Sequence, residues 1–137
     1  MPRRRVRLAP FMLRHLLRGL VAMSATTIFD KILNKEIPVQ SVYEDEYVLA
    51  FRDIQPQAPV HVLVIPKKKW ERFSEFKDAE PLAVGEFFTR IATVASALGL
   101  DTNGYRIVLN NGRDGQQSVD YVHAHILGGR GLTWPPG

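Results

Sequence analysis

The sequence predicts a single α+β domain, with an antiparallel sheet that has helices on one of its faces. Short apolar, β-branched runs follow one another in hairpin-like succession, separated by polar turns and loops, most of which contain glycine or proline. Only one long stretch, residues 81–99, repeats its apolar residues at helical spacing. The 137 residues include 45% hydrophobic side chains, which is enough for one packed core.

The first elements are expected between residues 27 and 51. Thr26 or Thr27 can cap a short helix that begins at Ile28, where apolar residues recur at helical spacing, and that ends at Pro38. A short strand at 42–43 leads into an acidic turn, and a second strand covers 47–51.

The remaining elements follow from residue 53 onward. Two prolines make 53–59 a loop, and the apolar run at 60–65 predicts a central strand. In the long helix, Pro81 suits the first turn and Gly99 suits the end. The last strands are predicted at 105–109 and 121–127.

Residues 1–26 are expected to form a basic leader, and 27–137 the folded domain. Residues 1–22 hold six of the 18 basic residues and none of the 14 acidic ones, so the rest of the chain carries a net charge of −2. An Arg-rich, acid-free, amphipathic leader is typical of mitochondrial import, whereas a true start at Met23 would indicate a cytoplasmic protein.

The composition also excludes classes of partner and site. Because the positive charge lies in the leader, the domain is not expected to bind nucleic acid. No run reaches the ~18–20 apolar residues of a membrane span, so no membrane partner is expected. The absence of cysteine excludes disulfides and thiolate zinc sites.

Three of the four histidines, His61, His123 and His125, lie on predicted strands. Because side chains alternate along a strand, His123 and His125 should share one face with Tyr121, while the residues between them enter the core. Two histidines on one face, next to a loop rich in hydrogen-bond donors, indicate a functional site.

The chemistry suggested by these residues is attack on phosphorus. A neutral imidazole is a competent nucleophile there, because its unperturbed pKa is ~6.5. The attack also needs donors for the phosphate charge and a proton for the leaving group. The sequence has no P-loop or dinucleotide-binding motif. These needs can be met without a metal or cofactor by Asn110, Gln117, Ser118 and His125.

Residues 116–130, which read QQSVDYVHAHILGGR, together with the terminal WPPG, resemble the histidine triad family. The resemblance is closest to the branch of purine nucleoside phosphoramidases. Residues 27–29, 35–38 and 53–61 are similar to the same branch. The resemblance therefore extends over 27–137 in order and without large gaps.

The resemblance implies a five-stranded antiparallel sheet with two main helices, and a homodimer in which two sheets form one of ten strands. His123 would attack the α-phosphorus of a nucleoside phosphoramidate or an acyl-nucleotide. Water would then release a purine nucleoside monophosphate such as AMP from the nucleotidyl-histidine. Ser118 and His125 would bind phosphate and help the leaving amine, and His61 would support the cluster.

The resemblance also implies the nucleotide contacts. Asp53 would hold the ribose hydroxyls, and Gln117 and Asn110 would line the phosphate site. Trp134 would come near the leaving group, in its own subunit or in the partner. The purine pocket would be lined by Ile28, Phe29, Ile32, Ile37 and Ile54.

Tyr121 departs from the family pattern His-x-His-x-His, since it stands at the first histidine. A tyrosine keeps the main-chain carbonyl that orients the nucleophile in this family. Its hydroxyl could hydrogen-bond His61, but a pKa of ~10 makes it a poor proton relay. Activity with an altered pH dependence is therefore expected. Gln116 stands where glycine is common and could crowd the phosphate loop.

Two other functions remain open from the sequence. A nucleotide-binding regulatory protein with weak or no turnover would follow if Tyr121 abolishes catalysis. A zinc-dependent hydrolase would use His61, His123 and His125 as ligands. By pattern alone, Ile28, Phe29, Ile32 and Ile37 are core residues of a short helix as readily as a base pocket, and the pattern favours a loop-capping role for Asp53.

Overall fold

The computed structural model describes residues 26–137, so the predicted leader lies outside the described residues except for Thr26. Within 26–137, no helix is both long enough and apolar enough to cross a bilayer. The elements in chain order are α1 (Ile28–Leu33), β1 (Ser41–Glu44), β2 (Val48–Arg52), β3 (Val60–Pro66), a 3-10 helix (Phe73–Asp78), α2 (Pro81–Ala97), β4 (Tyr105–Val108) and β5 (Ala124–Gly128).

The five strands form one sheet in the order β1-β2-β3-β5-β4, and every neighbouring pair is antiparallel. The predicted α+β class and the five-stranded antiparallel sheet are therefore confirmed. Strand β3 lies at the centre, where Leu63 is opposite Phe51 of β2 and His125 of β5. This register places His61 and His125 on adjacent strands and on the same face.

The two helices cover opposite faces of the sheet, so the expectation that they share one face is wrong. Strand β3 is apolar on both faces, and each face needs a cover. Long helix α2 packs Phe87, Ile91 and Val94 on the face that includes Val62 and Val64. Short helix α1 covers the other face, where Phe29 and Ile32 pack against Leu49, Phe51, Leu63, Ile65 and Tyr121.

Helix α1 begins as the sequence predicts and ends earlier. Thr27 caps it in a capping box with Asp30, in which each side chain bonds the other residue's amide. The helix ends at Leu33, because Lys35 adopts a left-handed φ of 60°. The expected end at Pro38 is therefore wrong.

Strand β5 begins three residues later than expected, at Ala124 and not at residue 121. Its pairing with β3 reaches Ala124 opposite Val64. Beyond that point β3 ends at Pro66, which has no amide hydrogen to continue the ladder. Val122 instead donates its amide to the carbonyl of Trp70, at 2.7 Å. His123 therefore precedes the strand that carries His125.

Candidate active site

His123 immediately precedes β5 and is buried, with 4% of its surface exposed. Its Nδ1 lies 2.7 Å from the carbonyl of Tyr121, so Nδ1 carries the proton and donates it. The lone pair of the neutral ring is then on Nε2. The edge of the Phe29 ring contacts the imidazole, with 5.0 Å between ring centroids. The ring is thus held by one hydrogen bond and one aromatic contact.

His61 and His125 are joined by a hydrogen bond of 2.9 Å between Nε2 of His61 and Nδ1 of His125. The amide of Gln57 donates to Nδ1 of His61 at 3.0 Å, so that nitrogen carries no proton. Neutral His61 therefore has its proton on Nε2 and donates it to His125. Because Nδ1 of His125 accepts this bond, the single N–H hydrogen of neutral His125 is on Nε2.

All three clustered histidines have a pKa below the ordinary value. Burial lowers the pKa of His61, and the nearby Asp53 carboxylate opposes this only in part. Burial also lowers the pKa of His123, against the hydrogen bond to Tyr121. For His125, burial followed by the charges of His123 and His61 lowers the pKa to about 4. The cluster is therefore neutral near pH 7.

Tyr121 is 1% exposed, and its hydroxyl donates a hydrogen bond to the carbonyl of Pro66. The expectation that it could hydrogen-bond His61 is wrong, because the ring extends past Phe29 toward the end of β3. The ammonium of Lys69 lies 5.7 Å from the ring centroid. Burial raises the pKa of Tyr121, so the residue stays neutral and fixed.

Asp53 follows β2, and its carboxylate has two contacts. Its Oδ1 accepts the amide of Gln55 at 2.8 Å, which is the loop cap that the pattern alone predicts. Its Oδ2 lies 3.5 Å from Nε2 of His61. Among the described residues, the group with ligand atoms within 4.8 Å of one another is Asp53, His61 and His125. The alternative zinc site of three histidines therefore differs from this group, which contains Asp53 in place of His123.

The side chain of Gln117 is bonded to the main chain around it. Its Nε2 donates to the carbonyls of Glu71 and Val119, at 2.6 Å and 2.9 Å. Its Oε1 accepts the amide of Gly112 at 2.9 Å. These bonds occupy both donors of the amide group and its oxygen. Gln117 therefore shapes the loop that precedes the histidines.

Gln116 is exposed and has a φ of 58°, in the left-handed region that favours glycine. A residue other than glycine at this position therefore adopts an unfavourable backbone conformation. The Gln116 side chain points to solvent and does not crowd the loop, contrary to the expectation from the sequence. Ser118, two residues on, is exposed and available to a ligand. Asn110 is half-buried just after β4.

The residues expected to line the purine pocket differ in exposure. Ile28 is 49% exposed and Ile54 is 95% exposed, whereas Phe29 and Ile32 are buried. Ile32 and Ile37 line a cavity of about 340 Å³, which none of the clustered histidines lines. Ile28 and Ile54 are therefore the most exposed of these residues, whereas Ile37 is half-buried in the wall of that cavity.

Trp134 is 80% exposed in the C-terminal tail. The guanidinium of Arg106 lies 5.9 Å from its ring centroid and donates to the carbonyl of Thr133 at 2.8 Å. The tail is thus held against the residues of β4, an edge strand.

One contact at the site that the sequence did not predict is the hydrogen bond from the Gln57 amide to Nδ1 of His61. A main-chain donor cannot be recognised from residue type, because every non-proline residue has one.

Comparison with known proteins gives consistent matches. Residues 34–132 match the model of the HIT domain family. A 14 kDa zinc-binding protein of Zea mays is 52% identical over 114 residues, which cover 81% of this chain and 88% of that protein.

Two solved structures are also similar. A HIT family hydrolase from Legionella pneumophila gives a TM-score of 0.77 at 45% identity, covering 82% of this chain and all of that one. A histidine triad nucleotide-binding protein from Candida albicans gives a TM-score of 0.68 at 32% identity, covering 82% and 85%.

Proposed function

The chain belongs to the HIT domain family, and from this premise we propose that it is a purine nucleotide hydrolase that carries the nucleotidyl group on His123. The observation that carries the proposal is the 2.7 Å contact between His123 Nδ1 and the Tyr121 carbonyl. Because this hydrogen bond holds the proton on Nδ1, the lone pair on Nε2 remains available for attack on phosphorus. Burial lowers the pKa of His123, so this lone pair is unprotonated at neutral pH. The names of the Legionella and Candida relatives also support the proposal.

The substrates are nucleoside 5′-phosphoramidates or acyl-nucleotides. The bond from His123 Nε2 to the α-phosphorus forms as the bond to the leaving group breaks. A carboxylate departs as an anion, and an amine takes a proton from solvent at the exposed Ser118 side. The Nε2 hydrogen of His125 and the Ser118 hydroxyl donate to phosphate oxygens. Water then displaces His123 from phosphorus and loses a proton to solvent, which yields the monophosphate.

The nucleoside would lie beside α1. The exposed faces of Ile28 and Ile54 would contact the purine, with Phe29 beneath them against His123. Asp53 Oδ2, whose neighbour Oδ1 is already bonded to the Gln55 amide, would accept the ribose hydroxyls. Asp53 and Ile54 are consecutive in the chain, so the sugar and the base would bind next to each other.

A homodimer would extend the sheet. Strand β4 lies at its edge, with one side unpaired within the described chain. Such an edge can pair with the same strand of a second copy to give ten strands. The exposed Trp134, held near β4 by Arg106, would then lie close to the partner's nucleotide site.

The test is release of AMP from adenosine 5′-phosphoramidate by the full chain in EDTA, beside His123→Asn. Asparagine keeps an N–H donor for the Tyr121 carbonyl but has no Nε2 nucleophile. We expect a loss of at least about 10³-fold in kcat, with AMP affinity within about threefold of wild type. Comparable release by the variant would exclude His123 as the nucleophile.

A nucleotide-binding protein without turnover is the second candidate. The observation in its favour is Tyr121, whose buried hydroxyl bonds Pro66 and carries no proton to the cluster. This candidate expects AMP to bind the wild-type chain by calorimetry without release from phosphoramidate. Release that depends on His123 would reject it.

A zinc site at Asp53, His61 and His125 is the remaining alternative, supported by their proximity and by the name of the Zea mays relative. The residues fit zinc poorly. Nε2 of His61 carries a proton, and moving it to Nδ1 would oppose two N–H groups, because Gln57 donates there. Tight zinc binding that is lost in His61→Gln would support the site, and full activity in EDTA would exclude a catalytic role.

A further inference from the structure

The turn after β5 holds the loop that precedes β3. Nη2 of Arg130 donates to the main-chain carbonyl of Gln57 at 2.9 Å. Gly129 has a φ of 86°, and a Cβ added there would lie 2.9 Å from Cβ of Pro59. Only glycine therefore allows the turn to approach the loop so closely. Two independent contacts, one polar and one steric, fix the turn against residues 57–59.

The main chain of Gln57 is bonded at both its carbonyl and its amide. The carbonyl accepts from Arg130, and the amide donates to Nδ1 of His61 at 3.0 Å. His61 in turn donates from Nε2 to Nδ1 of His125, at 2.9 Å. These three bonds form one chain from an exposed guanidinium to the imidazole beside the nucleophile.

We propose that Arg130 is a positioning residue that selects the tautomer of His61. By holding the Gln57 main chain, it keeps an N–H directed at Nδ1 of His61 and so keeps the proton on Nε2. His125 must then accept at Nδ1 and present its own Nε2 hydrogen to the substrate. This last step depends on the proposed function, whereas the tautomer of His61 does not.

The alternative tautomer shows why an anchor is needed. If His61 carried its proton on Nδ1, that proton would face the Gln57 amide, and Nε2 could no longer donate to His125. The Asp53 carboxylate, 3.5 Å from Nε2 of His61, also favours a proton there. Asp53 can bias the tautomer of His61, but the hydrogen bond that orients His125 comes from His61 itself.

The test reads the tautomer directly in the substrate-free full chain. Imidazole nitrogens labelled with ¹⁵N report protonated and unprotonated sites through two-bond ¹H–¹⁵N correlations, at about pH 8, above the ordinary pKa of ~6.5. In wild type, Nδ1 of His61 should show the shift of an unprotonated nitrogen. In Arg130→Ala, the two His61 shifts should move toward each other as tautomers mix, and kcat should fall about five- to tenfold.

Two further variants separate positioning from stability. Arg130→Lys can still donate to the Gln57 carbonyl, and it should restore the wild-type shifts. Arg90→Ala removes an arginine from α2, on the opposite face, together with its ion pairs to Asp45 and Glu86. It should lower the melting temperature and leave the His61 shifts unchanged.

The results that overturn the proposal are equally specific. Wild-type His61 shifts in folded Arg130→Ala, or equal shift changes in Arg90→Ala, would show that Arg130 does not set the tautomer. Mixed tautomers in Arg130→Ala would support it even if wild type hydrolyses no nucleotide. That combination would reject the proposed function and leave the positioning role in place.

Discussion

The carbonyl of Tyr121 accepts the Nδ1 proton of His123 at 2.7 Å, and the hydroxyl of the same tyrosine is bonded to the carbonyl of Pro66. One residue thus orients His123, the proposed nucleophile, through its main chain and anchors itself through its side chain. The side chain is anchored at Pro66, the last residue of β3, which is buried. Tyr121, which stands where the family pattern has its first histidine, therefore has a structural role in this chain.

Tyr121→Phe tests this division of roles. The variant keeps the carbonyl and the packing against Phe29 but loses the bond to Pro66. The free energy of unfolding should fall by about 1 kcal/mol in urea titration. The value of kcat/KM should fall less than about tenfold. Tyr105→Phe, at a ring that is 38% exposed, is the matched control and should change neither value. A loss of kcat/KM above about 10³-fold would place the Tyr121 hydroxyl in the chemistry.

Gln117→Ala should destabilise the substrate-free protein. It removes bonds to Glu71, Val119 and Gly112, and we expect a loss of about 1–3 kcal/mol in the free energy of unfolding. Ser118→Ala is the contrast, because Ser118 is exposed and should affect kcat/KM alone. An unchanged free energy of unfolding in Gln117→Ala would contradict this structural role and favour Gln117 as a phosphate ligand.

Stability should decline as the pH falls from ~6.5 toward about 4. The pKa of His125 is lowered to about 4 by burial, and those of His61 and His123 are also lowered. Unfolded histidines titrate at ~6.5, so the unfolded state binds more protons in this window. The free energy of unfolding is therefore highest above ~6.5. In His125→Asn its slope against pH should be shallower, and an unchanged slope would contradict the lowered pKa.

Carboxylate leaving groups should be strongly favoured over alkylamines. His125 and Tyr121 are both neutral near pH 7, and neither neutral group is acidic enough to protonate a leaving amine readily. An acyl-adenylate should show a kcat/KM at least about 100-fold above that of an N-alkyl phosphoramidate. Tyr121→His should narrow the gap, since it returns an imidazole to this position. Equal rates for the two leaving groups in wild type would contradict the neutral cluster.

Much of the fold was predictable because it depends on side-chain pattern. The β-branched run at 60–65 predicted the central strand, and Pro81 and Gly99 bounded the long helix, which is observed at Pro81–Ala97. The positions of the helices were not predictable from one sequence. A run that is apolar at every position has no polar face to show which side is covered, and here both sides are.

The sequence predicted which histidines form the site, but it did not predict the hydrogen bonds that hold them. Alternation placed His123 and His125 on one side, and their ring centroids are 5.0 Å apart although β5 begins only at Ala124. The direction of the Tyr121 hydroxyl depends on where β3 ends. The tautomer of His61 depends on the Gln57 amide, and every non-proline residue has such an amide. Main-chain groups, one a carbonyl and one an amide, therefore set the two connections that the sequence could not reveal.

The central claim, a nucleotidyl-His123 intermediate, is tested most directly by the stereochemical course at phosphorus. The substrate is an adenosine 5′-thiophosphoramidate of one configuration, hydrolysed by the full chain in ¹⁸O-labelled water. Two successive in-line displacements, by His123 and then by water, each invert phosphorus, so the account predicts overall retention. Overall inversion would mean that water attacks the substrate directly, and it would contradict His123 as the nucleophile.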